Sequence, residues 1–461
     1  MTTSTGTGAI AKLHLSDLLE NSRVGPFQIR VFMLCMACLI MDGFDVQAMG
    51  YVGPAVLRDW NAPGPELGRV FAAANFGVLL GALLFGMLAD KVGRRPVLVG
   101  ATLFFSVLTI ATGFARNMDE LLWLRFISGI GLGCIIPNAT ALVGEFSPKK
   151  SRVALTMCIT VGFTLGAAIG GFVALLLIPA FGWRSVFFFG GAVPFVIALA
   201  MLWGLPESLQ FLAVRKQRFD KLARWLRQLD PKLLVDASTQ FVANESSRAG
   251  VPIFHLFRDG RALFTILLWI VNFTNILVLY SLSNWLPTIF TSMGYTEQTS
   301  LFVGTLLQVG GTIGTLALAW VIGRRGFTST LAVTFAIATL SIAFIGHPAL
   351  TVLPLSIIVF VAGWCIVGAQ PGVNTLSASY YPTYLRSTGV GAGLGVGRIG
   401  AIVGPLIGGS LLANQWTPQQ LFWAAAFPAF VSMVVMLVMR ALLKNDRGSS
   451  ELQAVAQPLA H

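Results

Sequence analysis

Twelve stretches of about 20 apolar residues, parted by short connections, set the limits on what this chain can fold into. They run over roughly 28–50, 66–88, 96–115, 119–143, 153–177, 183–204, 262–286, 300–322, 328–346, 350–375, 387–412 and 419–441. A hydrocarbon core about 30 Å thick is crossed by roughly 20 helical residues. A helix satisfies its own backbone hydrogen bonds there. The expected fold is therefore an all-α integral membrane protein with twelve transmembrane helices. The only long polar connection, 205–261, divides them six and six. This gives a tail over 1–27, a bundle over 28–204, a linker over 205–261, a second bundle over 262–441 and a tail over 442–461.

Charge supports the same reading. Only 11% of residues are charged, against about 25% in soluble domains. The net charge of +12 could suggest nucleic acid. The basic residues sit between apolar spans, however, so they read as topology signals. One set of loops holds Lys12, Arg23, Lys91, Arg94, Arg95, Lys149, Lys150, Arg152, most of the linker, Arg324, Arg325, Arg386, Arg440, Lys444 and Arg447. The opposite loops hold Arg58, Arg69, Arg116 and Arg184. Both termini are thus expected on the cytoplasmic side of the membrane. The first 27 residues lack the apolar core and cleavage site of a signal peptide. The chain is expected to act as a monomer in the bilayer, without nucleic acid.

Phe219, Leu222, Trp225, Leu226 and Leu229 recur at helical spacing and predict an amphipathic helix along the membrane surface. The tail from Asn445 is polar and expected to be disordered. Cys35, Cys38, Cys134, Cys158 and Cys365 all fall in spans and read as buried apolar side chains. His14, His255, His347 and His461 lie in tails or loops, so neither metal, cofactor nor catalytic triad is expected.

The two halves repeat. Pro148 precedes Arg152 by four residues, as Pro382 precedes Arg386. The fifth span then carries Gly162, Gly166 and Gly170, and the eleventh Gly400, Gly404 and Gly408. Such glycines let helix backbones approach closely. The pairing predicts a pseudo-two-fold axis along the membrane normal.

After the second span comes Gly86-Met-Leu-Ala-Asp90-Lys91-Val-Gly93-Arg94-Arg95. This resembles the signature loop of the major facilitator superfamily, whose two six-helix halves are related by the same symmetry. Arg125, Gly129 and Gly133 in the fourth span resemble its second motif. Asp42-Gly-Phe-Asp45, Tyr381-Pro-Thr through Arg386, and Gly397-Arg398-Ile-Gly400-Ala401 make the chain similar to the aromatic acid:proton symporter family. The resemblance implies uptake of a 4-hydroxybenzoate-like carboxylate with protons, by alternating access. A transporter of another organic acid, sugar or drug, or a chemoreceptor on a transporter fold, are the alternatives. The second signature loop departs from the pattern, with Gly323 where relatives often carry Asp.

Gly86, Asp90, Gly93, Arg94, Glu145 and Arg152 form the expected cytoplasmic gate, a charge cluster that latches the two halves in one access state. Within the spans, ionised side chains cost about 2.5–3.5 kcal/mol on insertion scales. They persist where they pair, face a cavity or work. Asp45 lies roughly 8 Å, and Arg125 roughly 10 Å, below the same surface, so they can meet. Asp42, Asp45 and Arg125 are the expected proton-coupling group; a permanent pair that only fixes packing is the alternative. Arg398 lies about 18 Å into its span with no acid at that depth in its own half. It is the expected carboxylate anchor, through a forked guanidinium. Phe44, Gln47, Asn275, Tyr280, Gln308, Trp364, Gln370 and Asn374 are candidates to line the ring.

Overall fold

The computed structural model describes residues 25–214, 253–348, 350–382 and 384–445, with the short segments Lys12–His14 and Gln240–Val242. The predicted amphipathic helix at 219–229 and the tail beyond Asn445 lie outside the described residues. The first half holds α1 (Pro26–Trp60), α2 (Gly64–Val92), α3 (Arg94–Thr112), α4 (Met118–Leu132), α5 (Ile135–Phe146), α6 (Lys149–Phe181) and α7 (Arg184–Gly204). A short α8 (Leu209–Val214) follows. The second half holds α9 (Ala262–Ser292), α10 (Glu297–Arg325), α11 (Phe327–Ile345), α12 (Val352–Tyr380), α13 (Arg386–Ala413) and α14 (Pro418–Asn445).

α4 and α5 are two parts of one apolar stretch, Met118–Phe146, broken at Gly133 and Cys134. With it, eleven segments are long and apolar enough to cross a membrane. The remaining span is α1. Its 35 residues make it the longest of the described helices, and its middle carries Asp42 and Asp45. At 1.5 Å per residue it is roughly 52 Å long and extends past the bilayer core. The chain is thus an all-α protein of twelve transmembrane helices. Its tail and linker also touch: Lys12–His14 (β1) pairs in parallel with Gln240–Val242 (β2).

Local chemistry sets the helix ends. α2 stops at Gly93, whose φ of 112° is a conformation L side chains rarely adopt. α10 stops at Gly326, φ 79°, at the matching place in the second half. Asn117 starts α4 by accepting the Glu120 N–H at 2.8 Å. Thr296 starts α10 by accepting the Thr299 N–H at 3.2 Å.

The repeat is visible in the packing. α1 packs on α6 as α9 packs on α13; α2 on α4 as α10 on α12; α3 on α7 as α11 on α14. The glycine stripes lie at the first of these contacts. A Cβ on Gly166 would sit 1.8 Å from the Ile40 carbonyl oxygen, and one on Gly400 would sit 2.5 Å from that of Phe273. The halves meet where α2 packs on α13 and α6 on α10, two contacts related by the repeat, and where α1 packs on α9. Four cysteines are buried as expected, but Cys158 is exposed on the bundle surface, where lipid can cover a small apolar side chain.

Candidate functional site

The ionisable groups in the spans separate into one closed pair and one open pair. Arg125 donates to Asp45 Oδ2 at 2.9 Å, to Asp45 Oδ1 at 3.0 Å and to the Asp45 backbone carbonyl at 2.9 Å. Thr109 on α3 donates its hydroxyl to Asp45 Oδ1 at 2.7 Å. The guanidinium also lies 5.7 Å from the centre of the Phe187 ring. Arg125 is 2% exposed and Asp45 0%. The carboxylate is therefore bound on both oxygens, in a fork that holds α1, α3 and α4 together.

Asp42, three residues earlier on α1, is 2% exposed, and no hydrogen bond or ion pair within 4 Å ties it to a described residue. The charges whose fields reach it are Arg398, on the other half, and Asp45. Arg398 donates to the Tyr280 hydroxyl at 3.3 Å and has no carboxylate within 4 Å among the described residues. Tyr280 packs with Ile276 and Ala401, and Val46 of α1 packs against that group across the seam. Val46 is one turn beyond Asp42 on α1, and Ala401 is three residues beyond Arg398 on α13, so the two charges occupy matching faces at the join.

Above this level the halves are sealed. Gln47 donates to the Ser283 carbonyl at 2.6 Å, and Gln308 donates to Gln47 Oε1 at 3.1 Å and to the Ser283 hydroxyl at 2.9 Å. At the rim Arg58 meets Glu297 at 2.5 Å. Gly68 lies so close to α13 that a Cβ would be 2.9 Å from the Pro405 carbonyl oxygen. The seal is at the end of the bundle opposite the Gly86–Arg95 loop. Nearby, Asp59 accepts from Trp183 and Arg184 at 3.1 and 2.9 Å. Trp183, Arg184 and Arg58 hold its carboxylate below the usual range.

The other ring candidates divide. Asn275 donates to Gln370 Oε1 at 2.6 Å and to the Ile366 carbonyl at 3.3 Å. Gln370 donates to Asn374 Oδ1 at 3.1 Å and to Asn272 Oδ1 at 3.3 Å. The three predicted amides thus form one chain, which also includes Asn272, a residue that sequence reasoning did not single out. Its position one turn before Asn275 on α9 was the available signal. Two aromatics sit elsewhere than expected. Phe44 is fully buried inside the first half against Phe189, Gly170 and Gly190, because those glycines leave room for its ring there. Trp364 lines a groove of about 490 Å³ whose walls come from α10, α11, α12 and α14, all of the second half. Neither ring lies with Arg398.

The charge cluster at the other end also departs from expectation. Arg94 pairs with Glu145. Ser208 donates its hydroxyl to Glu145 Oε2 at 2.7 Å, and Glu207 Oε1 accepts the N–H of Arg95 at 3.1 Å and of Ser208 at 2.9 Å. Arg152 donates to the Ser147 carbonyl at 3.4 Å. All these residues belong to the first half or its exit, so the cluster ties α3, α5, the start of α6 and the start of the linker to one another rather than half to half. Glu207 was missed because it opens the polar linker, where a carboxylate normally signals only solvent. Asp90 is exposed, and no described residue pairs with it. A Cβ on Gly86 would meet nothing within 4 Å.

Comparison with known proteins agrees with this architecture. Residues 35–398 match the family described as the Major Facilitator Superfamily. The chain is 36% identical to the 4-hydroxybenzoate transporter of Pseudomonas putida, over 92% of this chain and 95% of that one. It is 35% identical to a gallate transporter of the same organism, over 93% and 95%. Among solved structures it resembles a D-xylose-proton symporter, with a TM-score of 0.70, 15% identity, and coverage of 93% of this chain and 99% of that chain. The chain belongs to the major facilitator superfamily, within its aromatic-acid transporters, and is not an enzyme.

Proposed function

We propose that the protein imports an aromatic carboxylate of the 4-hydroxybenzoate type across a bacterial inner membrane, together with a proton. The observation that carries the reading is the join between Asp42 and Arg398. Arg398 holds one neutral partner, Tyr280, and keeps the rest of its fork for a carboxylate. Asp42 is the buried carboxylate in α1 that no cation clamps.

The Asp45–Arg125 pair acts as the structural hinge pin in this scheme. Its carboxylate oxygens are already taken, so protonating it would weaken the two charge-assisted hydrogen bonds they accept from Arg125. Protonating Asp42 costs no such bond and relieves the repulsion between two carboxylates on one helix. The proton therefore rides on Asp42. Its neutralisation strengthens the hold of Arg398 on the substrate anion, because the competing carboxylate is gone.

The basic end, with the Gly86–Arg95 loop, is assigned to the cytoplasm by the bias of lysine and arginine. The Gln47–Ser283–Gln308 seal then faces the periplasm, and the conformation is closed on that side. Asn275, Gln370, Asn374 and Asn272 offer donors and acceptors for a ring hydroxyl. Gln47 and Gln308 become free for the same task when the seal opens. Transport by one chain as a monomer is sufficient for this cycle.

The test is uptake of radiolabelled 4-hydroxybenzoate by cells with and without an uncoupler, in wild type and in Arg398→Lys. Uncoupler-sensitive accumulation, with a raised apparent KM in the variant, is expected. Accumulation that ignores the uncoupler removes the proton. An unchanged KM removes Arg398 as anchor.

A further inference from the structure

A small cavity of about 20 Å³ lies in the seam beside the Asp45–Arg125 pair. Its walls include Arg125, Asn75, Val46 and Phe71 from the first half and Asn284 from the second. Two of these residues carry a buried N–H with no hydrogen-bond partner among the described residues: Arg125 at Nε and Asn284 at Nδ2. They are 2% and 3% exposed. An orphan donor at such depth is costly, so a partner is required.

The third polar residue decides what that partner is. Asn75 spends its Nδ2 on the Phe71 carbonyl of its own helix at 2.9 Å, which leaves Oδ1 as an acceptor. A set of two donors and one acceptor matches a water molecule, which can accept from both donors and give one of its two O–H groups to Asn75 Oδ1. An anion would be repelled by the Asn75 oxygen. About three hydrogen bonds is the usual number for a buried water, and the volume exceeds the roughly 10–15 Å³ that one water needs. An aromatic acid does not fit.

We propose that this cavity is a built water site spanning the two halves, formed only when they close at the Arg58–Glu297 end. Asn284 brings it together from the second half. Its neighbour Ser283 is held by Gln47 and Gln308, and α9 can approach because Gly50 lacks a side chain: a Cβ there would sit 3.3 Å from the Asn284 Cα. Closure thus completes the hydrogen bonding of Arg125 and fixes the pair that holds Asp45. Opening removes Asn284 and exposes the Arg125 face to bulk water. Asn284 is a positioning residue for the Asp45–Arg125 pin, and it reaches the proton carrier Asp42 through Asp45, whose charge acts on Asp42, so its functional consequence rests on the proton-coupling reading given above.

The test uses the full chain in lipid nanodiscs. One arm is a structure of the sealed state at a resolution that shows ordered water. Density within hydrogen-bond distance of Arg125 Nε, Asn284 Nδ2 and Asn75 Oδ1 is expected; a sealed cavity with no density there overturns the site. The other arm compares the pH profile of 4-hydroxybenzoate uptake in wild type, Asn284→Leu and Asn284→Ser. Asn284→Leu leaves Nε–H without a partner and should populate the sealed state roughly tenfold less, with a shifted profile. Asn284→Ser leaves room for a second water and should restore the wild-type profile. A wild-type profile in Asn284→Leu overturns the positioning role. If wild-type uptake proves independent of protons, the proton reading fails, and the water density alone decides the site.

Discussion

Arg125 grips Asp45 through both carboxylate oxygens and the backbone carbonyl, while Asp42, three residues away on the same helix, has no such partner. Two carboxylates at nearly one depth thus have opposite consequences when neutralised. Removing one member of a buried ion pair costs about 3–5 kcal/mol, because the other charge is left unpaired. Asp45→Asn and Arg125→Gln should each lower the thermal midpoint in detergent and the yield of folded protein. The double variant Asp45→Asn with Arg125→Gln should recover much of the loss, since no charge is then stranded. A double variant no more stable than either single would show that the pair is not what binds these helices.

Asp42→Asn should behave in the opposite way. The side chain keeps its shape, and no cation is stranded within 4 Å. Thermal stability should stay close to wild type. Accumulation driven by an imposed pH gradient in proteoliposomes should be lost, while exchange of labelled for unlabelled substrate continues. Retained gradient-driven accumulation would move the proton to another group.

How far this site could be read in advance follows from which parameters of a helix are local. Rise per residue is constant, so depth is legible, and the meeting of Asp45 with Arg125 was available from depth alone. Rotation about the helix axis is set by packing. That is why the sequence could not tell which of Asp42 and Asp45 takes the arginine, or that Phe44 turns into the first half. Contacts between the halves are harder still. Gln47 and Gln308 are 261 residues apart, and their bond depends on how two bundles dock. The signature loop gave its own charges but not Glu207, whose place in the polar linker hides its structural use. The span pattern, the six-and-six division and the glycine stripes were legible because each rests on a local period.

The seal should respond unequally to its two kinds of contact. Arg58 and Glu297 are 69% and 21% exposed, and exposed ion pairs are worth about 0–1 kcal/mol. The Gln47–Ser283–Gln308 bonds are buried, and breaking one leaves a polar group without a partner at about 1–3 kcal/mol. Glu297→Gln should therefore loosen the sealed state by less than about fivefold, Gln308→Leu by about tenfold or more. Labelling of Thr305→Cys, a fully buried position on α10 between the rim residue Glu297 and the seal residue Gln308, by a membrane-impermeant maleimide reads the difference. Equal labelling rates in the two variants would mean that the amides do not hold the closure.

Gly50 gives the sharpest steric test of alternating access. A Cβ there would lie 2.6 Å from the Ser283 carbonyl oxygen and 3.3 Å from the Asn284 Cα, both backbone atoms that cannot rotate away. Alanine is the better helix former by about 1 kcal/mol, so any loss in Gly50→Ala comes from the docking of α9 and not from α1 itself. The variant should fold, bind substrate from the outside and fail to seal, with the Thr305→Cys label entering faster and net uptake abolished. Gly171→Ala would place its Cβ 2.8 Å from the Thr305 Cβ, which no rotamer change moves, so it too should loosen the contact of α6 with α10. Gly86→Ala meets nothing within 4 Å in this conformation and should leave the sealed state as it is. A block of uptake by Gly86→Ala with unchanged Thr305→Cys labelling would place its role in the opposite state, where the basic end closes. Normal uptake in Gly50→Ala would show that the two halves need not come this close for the cycle to turn.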